Sequence, residues 1–328
     1  MSLTIMNGSI RGLALVIHCA LGFPNLMAQG SGDAGAGQLG PIGLLELERD
    51  TANQFSGRVG LGYSYGIGER DTRIARITAD VHFHIGDRVG LHLSIPYVSV
   101  QGELSNKNAN GDPIMSASYE FLRSARHSLT GILGVRIPLG PTRLDVAFLP
   151  ENGQLDLPMC YQPGLGSTDV LFGINWRRDR FRVGVVFQHV LTDNNKNQYY
   201  NSGWAFHDRP GLDYTEGRYL RRADDAVLRV QYVINHGSLY VRPGLLGIYH
   251  LKDDERVQGH PSSPLYYAVL PIADSEGLTL NWTADIGVAL GKRVLFEASF
   301  TAPIVQRALM PDGLSRSWVA GSSVSIRF

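Results

Sequence analysis

The chain has 328 residues, with thirty basic and thirty acidic side chains, 38 glycines and two cysteines. Balanced charge removes the electrostatic case for nucleic-acid binding. No apolar window of about eighteen residues follows the N-terminal stretch, so no transmembrane helix is expected; a mean hydropathy near zero is compatible with alternating membrane strands, which dilute their own signal.

At the start of the chain, Arg11 precedes an apolar run from Leu13 to Phe23, and Asn25-Leu26-Met27-Ala28 offers a cleavage point. This pattern predicts a signal peptide over residues 1–28. Its removal leaves Cys160 as the sole thiol, which excludes an intramolecular disulfide and a thiolate metal site. Residues 29–55 form a Gly-rich N-terminal segment, read as lying at the periplasmic end or entering a lumen as a plug.

From residue 56 the pattern becomes regular. Val59, Leu61, Tyr63 and Tyr65 alternate with Gly60, Gly62 and Ser64. Ala75, Ile77, Ala79, Val81, Phe83 and Ile85 alternate with Arg76, Thr78, Asp80, His82 and His84. After Gly86-Asp87-Arg88, Val89 to Tyr97 repeats the alternation around His92 and Ser94. Period two over such lengths predicts strands with one apolar and one wet face. A dry sandwich core could not take Arg76, Asp80 and two histidines, since each would cost several kcal/mol without full pairing.

The same grammar continues around tight turns at Ser124–His127, Arg178–Arg180, Asn235–Gly237 and Gly291–Arg293. With the first and last strands the count reaches about twelve, an allowed even number. Long polar segments separate the hairpins at roughly Ser99–Pro113, Pro138–Ser167, Leu191–Arg218, Leu251–Gly277 and Pro303–Leu314, with Gly66–Thr72 as a shorter sixth. Short turns on one side and long loops on the other are the asymmetry of outer-membrane barrels, with the short turns periplasmic. The last stretch places Trp318, Ala320, Ser322, Val324, Ile326 and Phe328 on one face and Arg327, Ser325 and Ser323 on the other. It resembles the C-terminal strand of bacterial outer-membrane barrels, which carries the signal for the barrel-assembly machinery. It should pair with Val59–Tyr65 to seal the ring. The expected fold is all-β, a transmembrane antiparallel up-and-down barrel over residues 56–328, in the outer membrane and in contact with its lipid.

The inward positions collect Arg76, Arg136, Arg177, Arg182, Arg229, Arg242 and Arg327, faced by Asp80, Glu120, Asp169, Asp285 and Glu297. They read as a lumen lined by compensating charges, with an Arg-rich constriction for anions as the sharper alternative. His82 and His84 share a face, and His92 should stand opposite His82; they are read as polar lumen residues rather than metal ligands. No cofactor is expected. No enzyme is expected either: His-Glu-X-X-His and phosphate loops are absent, and His127-Ser128 falls at the turn end. The segment Leu191–Arg218 is rich in aromatics, of which Tyr199, Tyr200, Trp204 and Phe206 are the candidates for solute binding, or for packing into a lid.

Three short motifs carry a family resemblance. Gln162-Pro163-Gly164-Leu165-Gly166-Ser167-Thr168-Asp169 opens a middle strand, Arg221-Arg222-Ala223-Asp224-Asp225 precedes an apolar one, and Ile137-Pro138-Leu139-Gly140 ends another. In these the chain resembles the transporter family of the MetA pathway of phenol degradation. The resemblance implies an outer-membrane channel for passive uptake of small, hydrophobic or aromatic solutes. A structural or adhesive barrel without transport is the alternative.

Overall fold

The structure, a computed structural model, describes residues 28–29, 55–147, 154–204, 213–258 and 268–328. The expected signal peptide and the 29–55 segment lie outside the described residues apart from Ala28–Gln29 and Phe55, as does Phe206.

Twelve strands form the wall. The first six are β1 (Phe55–Ile67), β2 (Arg73–Ile85), β3 (Val89–Gln101), β4 (Ile114–Arg123), β5 (His127–Arg136) and β6 (Ser167–Arg178). The second six are β7 (Phe181–Asp193), β8 (Asp225–Tyr232), β9 (Leu239–His250), β10 (Gly277–Leu290), β11 (Val294–Val305) and β12 (Trp318–Arg327). Each pairs antiparallel with the next in sequence, and β12 returns to β1. In the seam Val59 stands opposite Ile326 and Tyr65 opposite Ala320. Gly57 and Phe328 exchange both backbone hydrogen bonds at 3.0 Å. Closure matters because hydrocarbon offers no partner to an unpaired N–H or C=O, so an open sheet edge could not cross it.

The pleat sorts the side chains as the alternation predicts. On β6, Phe172, Ile174 and Trp176 are 51, 56 and 38% exposed while Leu171, next to Phe172 on the opposite face, is fully buried. Val59, Leu61, Tyr63, Leu133, Val185, Leu245 and Ile326 continue the exposed apolar belt around the ring. Such a surface belongs in lipid.

Five short turns close one end, and six longer connections lie at the other. The turns reverse the chain through left-handed backbone at Gly86, Asp179, Gly237 and Gly291. The long connections carry more order than their polarity suggests. Asn106–Asn110 folds back onto β3, Asp145–Ala147 pairs with Gln154–Asp156, and Glu255–Gln258 pairs with Ala268–Pro271. β3 itself runs to Gln101, into the segment expected as loop from Ser99, because inward Val98 and Val100 continue into a core made with the loops.

Candidate functional site: the lumen and its outer lid

Every predicted lumen position lies on the face opposite the lipid-exposed residues. Nearest the short turns stand His82 and His84 on β2, His92 on β3, Glu120 on β4, Arg177 on β6, Arg182 on β7, Arg242 on β9, Glu297 on β11 and Arg327 on β12. Asp80, Arg229 and Asp285 lie further in, and Arg76, Arg136 and Asp169 are close to the loop end. Arg58, not among the predicted residues, joins the turn-side group, opposite both Arg327 and His82; it follows Gly57 and a single inward charge there left no pattern.

The charges are paired across strands. Asp285 accepts from Gln231 at 2.9 Å and from Arg229 at 3.2 Å, with Arg242 at 3.6 Å. Arg242 also meets Glu297 at 3.0 Å, and the Tyr240 hydroxyl donates to the same carboxylate. Within β4, Glu120 pairs with Arg123 at 2.8 Å. His82 stands directly opposite His92 with ring centroids 6.0 Å apart, and His84 lies 4.3 Å from His82. His92 Nε2 is 3.3 Å from Asp80 Oδ1. Among the described residues no three His, Cys, Asp or Glu side chains are arranged to hold a metal ion.

Sequence reasoning missed an apolar patch on the inner wall. Ile114, Ile132, Leu171, Val186, Val227, Leu246 and Ile248 come from β4 to β9 and form one buried cluster. Reading the second parity of each strand would have found it, since each is an apolar residue at an inward position. Beside it on β10, Asn281 faces Leu246 and Thr279 faces Ile248. The Thr279 and Thr283 hydroxyls and the Asn281 amide are buried with no hydrogen-bond partner.

Above the lumen the long loops pack into a lid. Tyr199, Trp204, Tyr214, Tyr161, Leu157 and Cys160 join Ile74, Val98 and Val100 of the wall in a second core. Tyr161 and Tyr214 hydroxyls lie 3.1 Å apart, and the Leu104 N–H donates to Tyr161. Burial, with the charge of Glu69 adding to it, pushes the Cys160 thiol well above its ordinary pKa. Of the predicted aromatic set, Tyr199 and Trp204 are core residues of the lid, each 1% exposed. Tyr200 remains partly exposed, its ring under Arg218 at 4.9 Å.

An ion cluster ties this lid to the wall. Asp169 pairs with Arg136 at 2.9 Å and Arg222 at 3.3 Å, and accepts from Gln188 at 2.5 Å. Arg222 reaches Asp225 at 3.1 Å and Asp312 at 3.8 Å. Asp312 holds Arg307 at 2.7 Å, and His250 sits between Asp225 at 2.7 Å and Asp254 at 2.8 Å. All these groups are buried. Burial opposes the Arg222 charge, but Asp169, Asp225, Asp312 and Asp254 together raise its pKa above the ordinary value. Burial likewise works against ionised Asp312, yet Arg307 and Arg222 hold it at about 2.

The three motifs that carry the family resemblance meet here. Asp169 of the first contacts Arg222 of the second. Asp112 binds the backbone N–H of Gly140 from the third at 2.9 Å and that of Leu165 from the first at 2.8 Å. Gly140 and Gly164 touch backbone to backbone, leaving no room for a side chain on either.

Neither a protein-family model nor a curated protein matches the chain. Solved structures do. An outer membrane channel from Pseudomonas putida F1 aligns over 86% of this chain and all of its own, at 11% identity and a TM-score of 0.52. The fold is that of bacterial outer-membrane barrels. The CymD monoaromatic hydrocarbon channel aligns over 93% of this chain and 94% of its own at 13% identity and a TM-score of 0.47. The outer membrane phospholipase A of Escherichia coli aligns over 82% and 95% at 9% identity, with a TM-score of 0.36. At such identities the likeness is one of fold.

Proposed function

We propose that this barrel is an outer-membrane channel through which a small solute diffuses passively, with the outer lid as its filter. The observation that carries the reading is the inner wall itself. A continuous apolar patch from Ile132 to Ile248 adjoins buried hydroxyl and amide groups of Thr279, Asn281 and Thr283 that no protein atom satisfies. Unsatisfied buried polar groups are uncommon and call for a reason; a wall that serves only as scaffold gains nothing from them, whereas a passing solute or water can pair with them.

The apolar patch favours a solute with a hydrophobic or aromatic body, in line with the MetA-pathway resemblance, and the Pseudomonas putida protein of the same fold is described as a channel. Among the described residues of the predicted set, the exposure of Tyr200 supports its contact with a solute outside the lid. The paired lumen charges support hydration of the path rather than an arginine filter for anions.

Planar-bilayer recording tests the reading: stepwise single-channel conductance is expected. A folded, heat-modifiable barrel that stays silent would instead support the structural or adhesive role. Liposome swelling with a small aromatic solute and a sugar of similar size then ranks solutes, with faster entry expected for the aromatic one.

A further inference from the structure

The lipid-facing side of β4 to β7 is not a smooth belt. Ala117 and Gly131 leave a depression of about 730 Å³ between Tyr119, Phe121, Leu133, Phe172, Ile174 and Val185. It runs from Phe121, two residues from the turn-side end of β4, up to Ala117, Leu133 and Phe172, six residues along their strands, so its lower part opens in the half of the membrane nearest the periplasm.

Directly beneath it the two turns joining β4 to β5 and β6 to β7 are tied together, the Asp179 N–H donating to the Arg126 carbonyl at 2.8 Å. This bond sets Arg126, Arg178 and Arg180 side by side at the water interface. Arg126 is 80% exposed, and its contact with Asp179 is a loose 3.9 Å. Arg178 and Arg180 are exposed, and no carboxylate among the described residues pairs with either. Arg178 follows the outward Phe172, Ile174 and Trp176 on the same face of β6. Three guanidiniums against one carboxylate thus sit below an apolar groove, which is the outline of an amphiphile with an anionic head.

We propose that this groove binds an anionic glycerophospholipid of the periplasmic leaflet, one acyl chain lying in the groove and the phosphate on the arginine platform. Arginine matches phosphate oxygens through its planar fork of donors, and basic groups near a membrane surface favour anionic lipid. The position at the short-turn end excludes the lipids of the outer leaflet. The inference is independent of whether the lumen conducts.

Trp176, on the same face between Ile174 and Arg178, supplies the readout. The full barrel is reconstituted in phosphatidylcholine containing a minor fraction of lipid with brominated acyl chains, either phosphatidylglycerol or phosphatidylcholine. Quenching of Trp176 is isolated as the difference from Trp176→Phe. We expect brominated phosphatidylglycerol to associate about tenfold more strongly than brominated phosphatidylcholine. Replacing Arg126, Arg178 and Arg180 by glutamine should bring that ratio close to one, and replacing them by lysine should retain most of it. Ala117→Leu, which fills the groove and leaves the charges, should reduce the preference severalfold. Equal quenching by both lipids in the unaltered barrel overturns the proposal, as does a triple-glutamine barrel that keeps the preference.

Discussion

Arg222→Met is the most direct test of the lid as a latched element. The Arg222 guanidinium lies 3.1 to 3.8 Å from three carboxylates, those of Asp225, Asp169 and Asp312. At an effective dielectric constant of about 20, one pair at roughly 4 Å is worth about 4 kcal/mol. Three such terms cannot simply be added, because removing the guanidinium also recovers its desolvation cost. Asp169 keeps Arg136, Asp225 keeps His250, and Asp312 keeps Arg307. The net cost of breaking a buried ionic group on one side is about 3–5 kcal/mol. This cost falls on loop-to-wall contacts and leaves the strand hydrogen bonds intact, so it should appear as lid opening rather than barrel unfolding. A shift of about 3 kcal/mol raises the open population roughly a hundredfold. The assay is limited proteolysis of the outer loops alongside single-channel recording, with heat-modifiable migration reporting the intact barrel. Arg222→Lys keeps the charge and loses the fork, so it should fall between the two. A folded Arg222→Met barrel with unchanged cleavage rate and conductance would refute the latch.

Three further outcomes follow from the same geometry. The buried Cys160 thiol, held protonated well above its usual range, should label with maleimide only slowly in the native barrel; faster labelling in Arg222→Met, in step with proteolysis, would tie it to lid opening. Asp312 has its pKa depressed from 3.8 to about 2. The stability it adds to the lid is therefore fully present above about pH 4 and lost as pH falls through about 2, a contribution on the order of 2 kcal/mol. Loop proteolysis by an acid-active protease should show that loss, and Asp312→Asn should flatten it. Gly164→Ala drives a methyl group into the Gly140 backbone, so it should destabilise the outer rim by about 1–3 kcal/mol. An unchanged thermal midpoint, read by gel migration, would show that the two segments can part freely.

Much of the barrel was legible because lipid imposes a rule that acts residue by residue. Each outward position must be apolar and every backbone group must pair, so Phe172, Ile174 and Trp176 declare their face without reference to any other strand. The same parity put Arg76, Asp80 and His82 inside, and the alternation of short and long connections set which end carries the loops. The apolar patch was equally present in the letters, but Leu171 or Leu246 at an inward position looks like noise until the neighbouring strands are laid beside it. The lid was less legible still. Tyr199 and Trp204 are aromatic in a polar segment, which fits a binding surface and a packed core alike; the choice was made by Ile74, Val98 and Val100, more than ninety residues earlier in the chain.

The sequence by itself thus determined the strands, their number, their two faces and the closure of β12 on β1, since each follows from a period of two and from local turn chemistry. Only the tertiary structure decided the partners. Asp169, Arg222, Asp225, His250, Asp254, Arg307 and Asp312 come from strands and loops that no local pattern links, and they meet because the ring closes and turns its loops inward over one mouth. Charge complementarity told that arginines and carboxylates would pair; the curvature of the barrel chose which ones.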